Sequence, residues 1–166
     1  MYQTIRSFLE DWSSEKESTL RVFGALTDTS LSQKVCPEGR SLGFIAWHIV
    51  LMMGEMGTRA GLPVEAPSEE MPEPKAAAEI TAAFDTASSS IAEQVSKSWT
   101  DVKLNDEVQM FGEAWKRSAV LASIVRHQAH HRGQMTVLMR QAGLRVPGVY
   151  GPAREEWAKM GMQPMK

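Results

Sequence analysis

Hydrophobic side chains recur every three or four residues along four long segments of the chain, which is the spacing of one face of an α-helix. The first segment runs from about Gln3 to Leu26 and the second from about Ser41 to Arg59. The third runs from about Lys75 to Trp99 and the fourth from about Ala114 to Gln141. No segment shows a sustained alternation of apolar and polar residues, so the pattern predicts an all-α protein.

Polar residues, prolines and glycines separate the four segments. Ser41 is a suitable N-cap for the second helix, and "GLPVEAPSEEMPEP" (residues 61–74) after this helix predicts a long extended loop. A second connection is expected over residues 100–113, and Gly143 marks the end of the fourth helix. Four amphipathic helices predict one four-helix bundle domain over residues 1–166, with a short C-terminal helix around 153–160.

Composition excludes several classes of partner. The chain has 18 Lys and Arg against 20 Asp and Glu, a net charge of −2, which gives no basic surface for nucleic acid or an anionic membrane. The beginning of the chain lacks the apolar core of a signal peptide. The most apolar stretch, Leu42–Met53, is shorter than the ~20 residues that span a bilayer. Cys36 is the only cysteine, which fits a reducing compartment, so we predict a cytoplasmic protein.

Three of the four histidines lie within five positions, in "HQAHHRGQ" (residues 127–134). His127 and His131 fall on the apolar stripe of the fourth helix, where residues at i and i+4 lie on one face and can chelate one ion. His48 occupies an equivalent stripe position on the second helix. A single histidine on such a stripe is more often a hydrogen-bonded core residue, but three together would each need a buried partner. We therefore predict that His48, His127 and His131 bind one divalent ion.

Three histidine ligands leave one position of a tetrahedral ion open, which is typical of a catalytic rather than a structural zinc site. Neutral imidazoles suit zinc, nickel, copper and iron alike. His130 either competes with His131 as a ligand or lies at the edge of the site. Glu55 follows His48 by two helical turns and is a candidate general base or partner of a ligand; the alternative is an ordinary surface glutamate.

Three stretches carry a resemblance to a known family: "RSLGFIAWHIV", "HQAHHRGQMTVLMRQAGL" and "VPGVYGPAREEW". In order and spacing they resemble the DinB-like (DinB/YfiT-like) metal-binding four-helix bundles, and the resemblance covers nearly the whole chain. It implies an up-up-down-down bundle, often a homodimer, with a divalent ion held by three histidines. The ion is nickel or zinc in many cases. The matching positions here are His48, His127 and His131.

The chemistry of the family varies more than its metal site. Some branches resemble thiol S-transferases or thiol-dependent isomerases, and others are regarded as metal-dependent hydrolases. We therefore expect a metal-dependent enzyme for a small molecule, acting by S-transfer from a low-molecular-weight thiol or by hydrolysis. The alternative is a non-catalytic metal-binding or interaction module with a structural ion.

Three further residues are candidates for substrate binding. Arg132, beside His131, is placed to meet an anionic substrate at the mouth of the site, unless it is a solvated arginine on the helix surface. Tyr150 and Trp157 would line the pocket if the C-terminal stretch folds over the metal. Their alternative role, which we favour, is to dock this stretch against the bundle.

Overall fold

The computed structural model describes residues 1–163 and consists mainly of four long helices. These are α1 (Ile5–Phe23), α2 (Leu42–Arg59), α3 (Ala77–Ser98) and α4 (Arg117–Gln141). Short 3-10 helices are formed by Asp28–Ser32 after α1, by Val102–Asn105 after α3 and by Arg154–Met160 after α4. The predicted helical bundle is confirmed, and the predicted C-terminal helix is present as a 3-10 helix.

The helices are arranged so that α1 and α2 each pack against both α3 and α4. Long connections join α1 to α2, α2 to α3 and α3 to α4. The up-up-down-down order implied by the family resemblance stays a prediction. Between α1 and α3, the Trp12 indole N–H donates to the Ser88 carbonyl at 2.9 Å, and the rings of Phe23 and Phe84 lie 5.0 Å apart. No helix within residues 1–163 has the length and apolar character needed to cross a membrane.

Two helix ends agree with the sequence signals. The Ser41 hydroxyl accepts a hydrogen bond from the Phe44 backbone N–H at 3.0 Å, so Ser41 is the N-cap of α2. Helix α4 ends at Gln141 with Ala142 as its C-cap, and the next residue, Gly143, has a φ of 74°, a left-handed conformation that glycine adopts at little cost. These caps set the ends of the two helices that carry the histidines.

The connection before α4 differs from the prediction. Residues 107–116 form a β-hairpin of β1 (Glu107–Met110) and β2 (Glu113–Lys116), in which Val108 pairs with Trp115. Phe111 and Gly112 both have positive φ, 53° and 86°, as a two-residue hairpin turn requires. The helix predicted to start at Ala114 therefore starts at Arg117, because Ala114 belongs to the second strand.

Candidate metal centre

The imidazoles of His48, His127 and His131 converge between α2 and α4. The Nε2 atom of His127 lies 3.3 Å from Nε2 of His48 and 3.2 Å from Nε2 of His131. One ligand atom from each of the three residues lies within 4.8 Å of the other two. The three histidines predicted to share a site are thus brought together, two by their i, i+4 spacing and the third by the packing of α2 against α4.

The rings meet at their edges rather than face to face. The centroids of His127 and His131 are 4.4 Å apart with planes at 74°, and those of His48 and His131 are 4.8 Å apart with planes at 89°. His48 and His127 are inclined at 60°. In this arrangement the ring nitrogens, which lie in the ring planes, are directed towards one shared region.

Burial keeps the three imidazoles in their neutral form. Burial, and after it repulsion from His131 and His48, lowers the pKa of His127 to about 4. Burial also lowers the pKa of His48 and of His131, although the hydrogen bond from His131 to Gln134 opposes the shift for His131. Since a metal binds neutral imidazole, the site has the required protonation state near neutral pH.

Gln134 fixes the orientation of one of these rings. Nδ1 of His131 lies 2.8 Å from Oε1 of Gln134, and Nε2 of Gln134 lies 3.1 Å from Nε2 of His130. With the amide in this orientation, His131 carries its proton on Nδ1 and donates it to Gln134. Its Nε2 lone pair is left for the cluster, which is the usual role of a hydrogen-bonded partner behind a metal ligand. The sequence pattern did not lead us to predict this role of Gln134, although a residue three positions after His131 on a helix lies close enough to contact its side chain.

The donor set fits a divalent transition metal. Two nitrogens bound to one tetrahedral zinc at about 2.0–2.1 Å lie ~3.3 Å apart, and the measured separations here are 3.2 and 3.3 Å. One cation also satisfies all three Nε2 lone pairs at once, whereas neutral imidazoles facing each other compete for one proton. Zinc and nickel both suit three imidazoles, so the donors define the type of ion rather than its identity.

Two other candidate residues lie outside the cluster. His130 is exposed, with its ring centroid 4.9 Å from that of His131, and it is joined to the site through Gln134. The Glu55 carboxylate accepts a hydrogen bond from Nε of Arg59 at 3.2 Å. The structure thus leaves His130 at the edge of the site, and it pairs Glu55 with an arginine of its own helix instead of a histidine.

Arg132 lies in a different environment from either one expected. It is only 1% exposed, and its guanidinium donates to Oε2 of Glu15 at 2.7 Å and to Oγ1 of Thr19 at 2.8 Å. These partners belong to α1, on a side of α4 turned about 100° from His131. Arg132 is therefore neither at the mouth of the metal site nor on a solvated surface.

The C-terminal stretch contacts this buried arginine. The Tyr150 hydroxyl donates to Oε2 of Glu15 at 3.0 Å, and the Arg132 guanidinium lies 5.1 Å from the centre of the Tyr150 ring. Tyr150 thus docks the stretch against α1 and α4, the alternative that we favoured. Trp157 is half-buried in the last 3-10 helix.

Fold and site together define a class: a four-helix bundle that directs three histidines from two helices towards one point. The chain matches the DinB family over residues 1–165, and it belongs to that family. It is 42% identical over 166 residues to the uncharacterized protein YrdA of Bacillus subtilis (strain 168), covering 100% of this chain and 99% of YrdA.

Two solved structures are also similar. A DinB-like protein from Bacillus cereus ATCC 10987 superposes with a TM-score of 0.87 at 43% identity, covering 90% of this chain and 100% of that one. The DinB-like protein YjoA from Bacillus subtilis superposes with a TM-score of 0.68 at 15% identity, covering 86% and 97%. The second likeness supports the fold alone.

Proposed function

We propose that this protein is a cytoplasmic metal-dependent enzyme that acts on a small molecule at the three-histidine site. The reaction is attack of a low-molecular-weight thiol on an electrophile, in which a bond to sulfur forms as the thiol loses its proton and the electrophile loses its leaving group to solvent. With water in place of the thiol, the reaction is hydrolysis. The observation that carries the proposal is the convergence of three neutral imidazole nitrogens with separations of 3.2 and 3.3 Å between Nε2 atoms. Three protein donors leave a position for substrate on a four-coordinate ion.

The composition of the cluster supports an enzyme over a structural site. Structural zinc sites commonly use cysteine and fill all four positions with protein ligands. Cys36 is exposed and is not part of the cluster, which within residues 1–163 contains the three histidines alone. For S-transfer, the thiol would therefore come from a cosubstrate, and thiols remain reduced in the cytoplasm.

The residues of the chain have separable roles in this proposal. His48, His127 and His131 would hold the ion, and Gln134 holds the proton of His131 on Nδ1. A divalent ion held by these residues would supply Lewis acidity, lowering the pKa of a bound thiol or water. His130 lies exposed at the edge, where its imidazole is accessible for proton transfer with a bound substrate.

Metal analysis and a thiol screen test the proposal. Protein purified without chelator is analysed for transition metals, and zinc- and nickel-loaded forms are incubated with monochlorobimane and glutathione, cysteine or coenzyme A. We expect thiol conjugation that requires the metal. p-Nitrophenyl acetate without thiol tests hydrolysis in the same preparations.

Matched variants provide the controls. His127→Ala should lose stoichiometric metal and the metal-dependent rate, whereas His130→Ala, on the same helix, should keep the metal. Rates that are equal with and without metal would contradict the proposal. Stoichiometric metal without turnover in either assay would favour the structural ion instead.

A further inference from the structure

A cleft of about 490 Å³ opens beside the three-histidine site. Gln134 belongs both to the cleft wall and to the site, because its side chain also bonds His131. A molecule in the cleft would therefore touch the residue that orients a metal ligand. The wall combines two polar side chains with an apolar surface, and its residues are Val35, Gly39, Arg40, Ile45, Gln134, Val137 and Leu138.

Arg40 is the cationic residue of this wall, and it lies close to the histidines. Its guanidinium carbon is 5.1 Å from the centre of the Phe44 ring. The Phe44 ring is in turn stacked on that of His48, with the ring centroids 6.2 Å apart and the planes inclined by 11°. Phe44 therefore lies between the Arg40 guanidinium and one of the candidate metal ligands.

Within the described residues 1–163, no carboxylate forms an ion pair with Arg40. The ion pairs of these residues involve other arginines and lysines. Arg132, which is adjacent to a candidate ligand in the sequence, is instead buried against Glu15. Of these two arginines, Arg40 is the one available to a molecule from solution.

Three large hydrophobic side chains near the cleft are unusually exposed. Val35 is 65% exposed, Val137 is 52% exposed and Phe44 is 42% exposed. Val35 and Val137 line the cleft itself, and Phe44 lies against Arg40. Apolar groups gathered around an opening favour a ligand with an apolar portion, because its binding removes their surface from water.

Resting on the function proposed above, we propose that Arg40 determines specificity for an anionic substrate whose apolar body lies in the cleft and whose reactive group reaches the three histidines. The anionic group is of the carboxylate or sulfonate type, which matches the planar guanidinium fork. Arg40 acts here as a binding residue for a part of the substrate remote from the reacting atoms.

A matched pair of thiols tests this inference by binding rather than turnover. Zinc-loaded protein is titrated calorimetrically with 6-mercaptohexanoate and with 6-mercaptohexanol, which differ in charge at the end remote from sulfur. We expect the carboxylate to bind about fivefold more tightly at low salt, the size of a favourable exposed ion pair. The preference should decrease as salt is added.

Variants of arginine show whether the preference arises at the cleft. Arg40→Gln should abolish the preference, so that the carboxylate and the alcohol bind about equally. Arg40→Lys should retain part of the preference because the positive charge remains. Arg154→Gln removes one positive charge from the exposed C-terminal region and should retain the full preference. Equal binding of the two thiols by the unaltered protein, or equal loss in Arg154→Gln and Arg40→Gln, would overturn the inference.

A second probe separates this inference from the thiol chemistry. If neither thiol binds while zinc remains stoichiometric, the S-transfer proposal fails. Metal-free protein is then titrated with 8-anilinonaphthalene-1-sulfonate and its uncharged analogue N-phenyl-1-naphthylamine by fluorescence. A preference for the sulfonate that Arg40→Gln abolishes would support the role of Arg40, and its absence would overturn it.

Discussion

Replacing Gln134 with leucine should weaken zinc binding about tenfold. Leucine keeps a side chain of similar size but removes the oxygen that accepts the Nδ1–H of His131 at 2.8 Å. His131 is only 6% exposed, so its ring has limited access to other acceptors. Without Gln134, the proton can move to Nε2, and the lone pair needed for the metal is then no longer held in place.

The magnitude follows from the exposure of the two partners. Loss of a hydrogen-bonded partner behind a metal ligand commonly lowers affinity by about 10–100-fold. Gln134 itself is exposed, so water can replace part of its hydrogen bond to His131. We therefore expect the lower limit, about tenfold or ~1.4 kcal/mol of binding free energy. The free energy of unfolding of the metal-free protein should change little.

Competition with a chromogenic chelator of known zinc affinity measures the effect. Gln134→Glu should retain affinity because a carboxylate also accepts the Nδ1–H bond. Gln141→Leu, at the exposed end of the same helix, is the matched control and should bind zinc normally. His130→Ala separates loss of the second Gln134 contact from loss of the first. Unchanged affinity in Gln134→Leu, or an equal decrease in Gln141→Leu, would refute this role of Gln134.

Three further predictions concern stability. Arg132→Met should lower the free energy of unfolding by about 3–5 kcal/mol, because it leaves the buried Glu15 carboxylate unpaired; exposed Arg126→Met should change it by less than ~0.5 kcal/mol in the same urea titrations. Tyr150→Phe should cost about 1 kcal/mol by removing a hydrogen bond to Glu15, and faster limited proteolysis of the C-terminal stretch would show its release. The metal-free protein should lose stability as pH falls from about 6.5 towards 4. In this range the unfolded chain binds a proton at His127, whereas the folded state does not, because its His127 pKa is lowered to about 4. Thermal unfolding measured at several pH values tests this, and a melting temperature that does not change with pH would contradict it.

The sequence predicted the inward histidines because a helical period fixes which residues share a face. His127 and His131 follow the apolar stripe of α4, and that stripe must face the interior whatever the details of packing. The helix bounds were all within three residues of those found, but the hairpin before α4 was not predicted. There the strands are four residues long, too short for alternation to be recognised.

The environment of Arg132 and the role of Arg40 could not be read from the same pattern. Arg132 is buried because Glu15, 117 positions earlier in the chain, supplies its counter-charge. Arginine side chains are ordinarily exposed to solvent, and the sequence around Arg132 does not include the distant glutamate that pairs with it. Arg40 lies outside the helices, so no periodicity relates it to the histidines, and its place emerges only when the loop before α2 is packed beside α4.

Helix α4 carries buried polar side chains on two faces, and the contacts of one face bear on the geometry of the metal centre on the other. His127 and His131 face α2, whereas Gln128 and Arg132, each one position later, face α1 and both donate to the Glu15 carbonyl. A rotation of α4 about its axis would break the second set and misdirect the first at the same time, since adjacent residues differ by about 100°. The ion pair with α1 therefore helps to define the direction of the imidazoles towards α2. If Arg132→Met lowered stability and left zinc affinity unchanged, the apolar packing of α4 alone would be sufficient to set that direction.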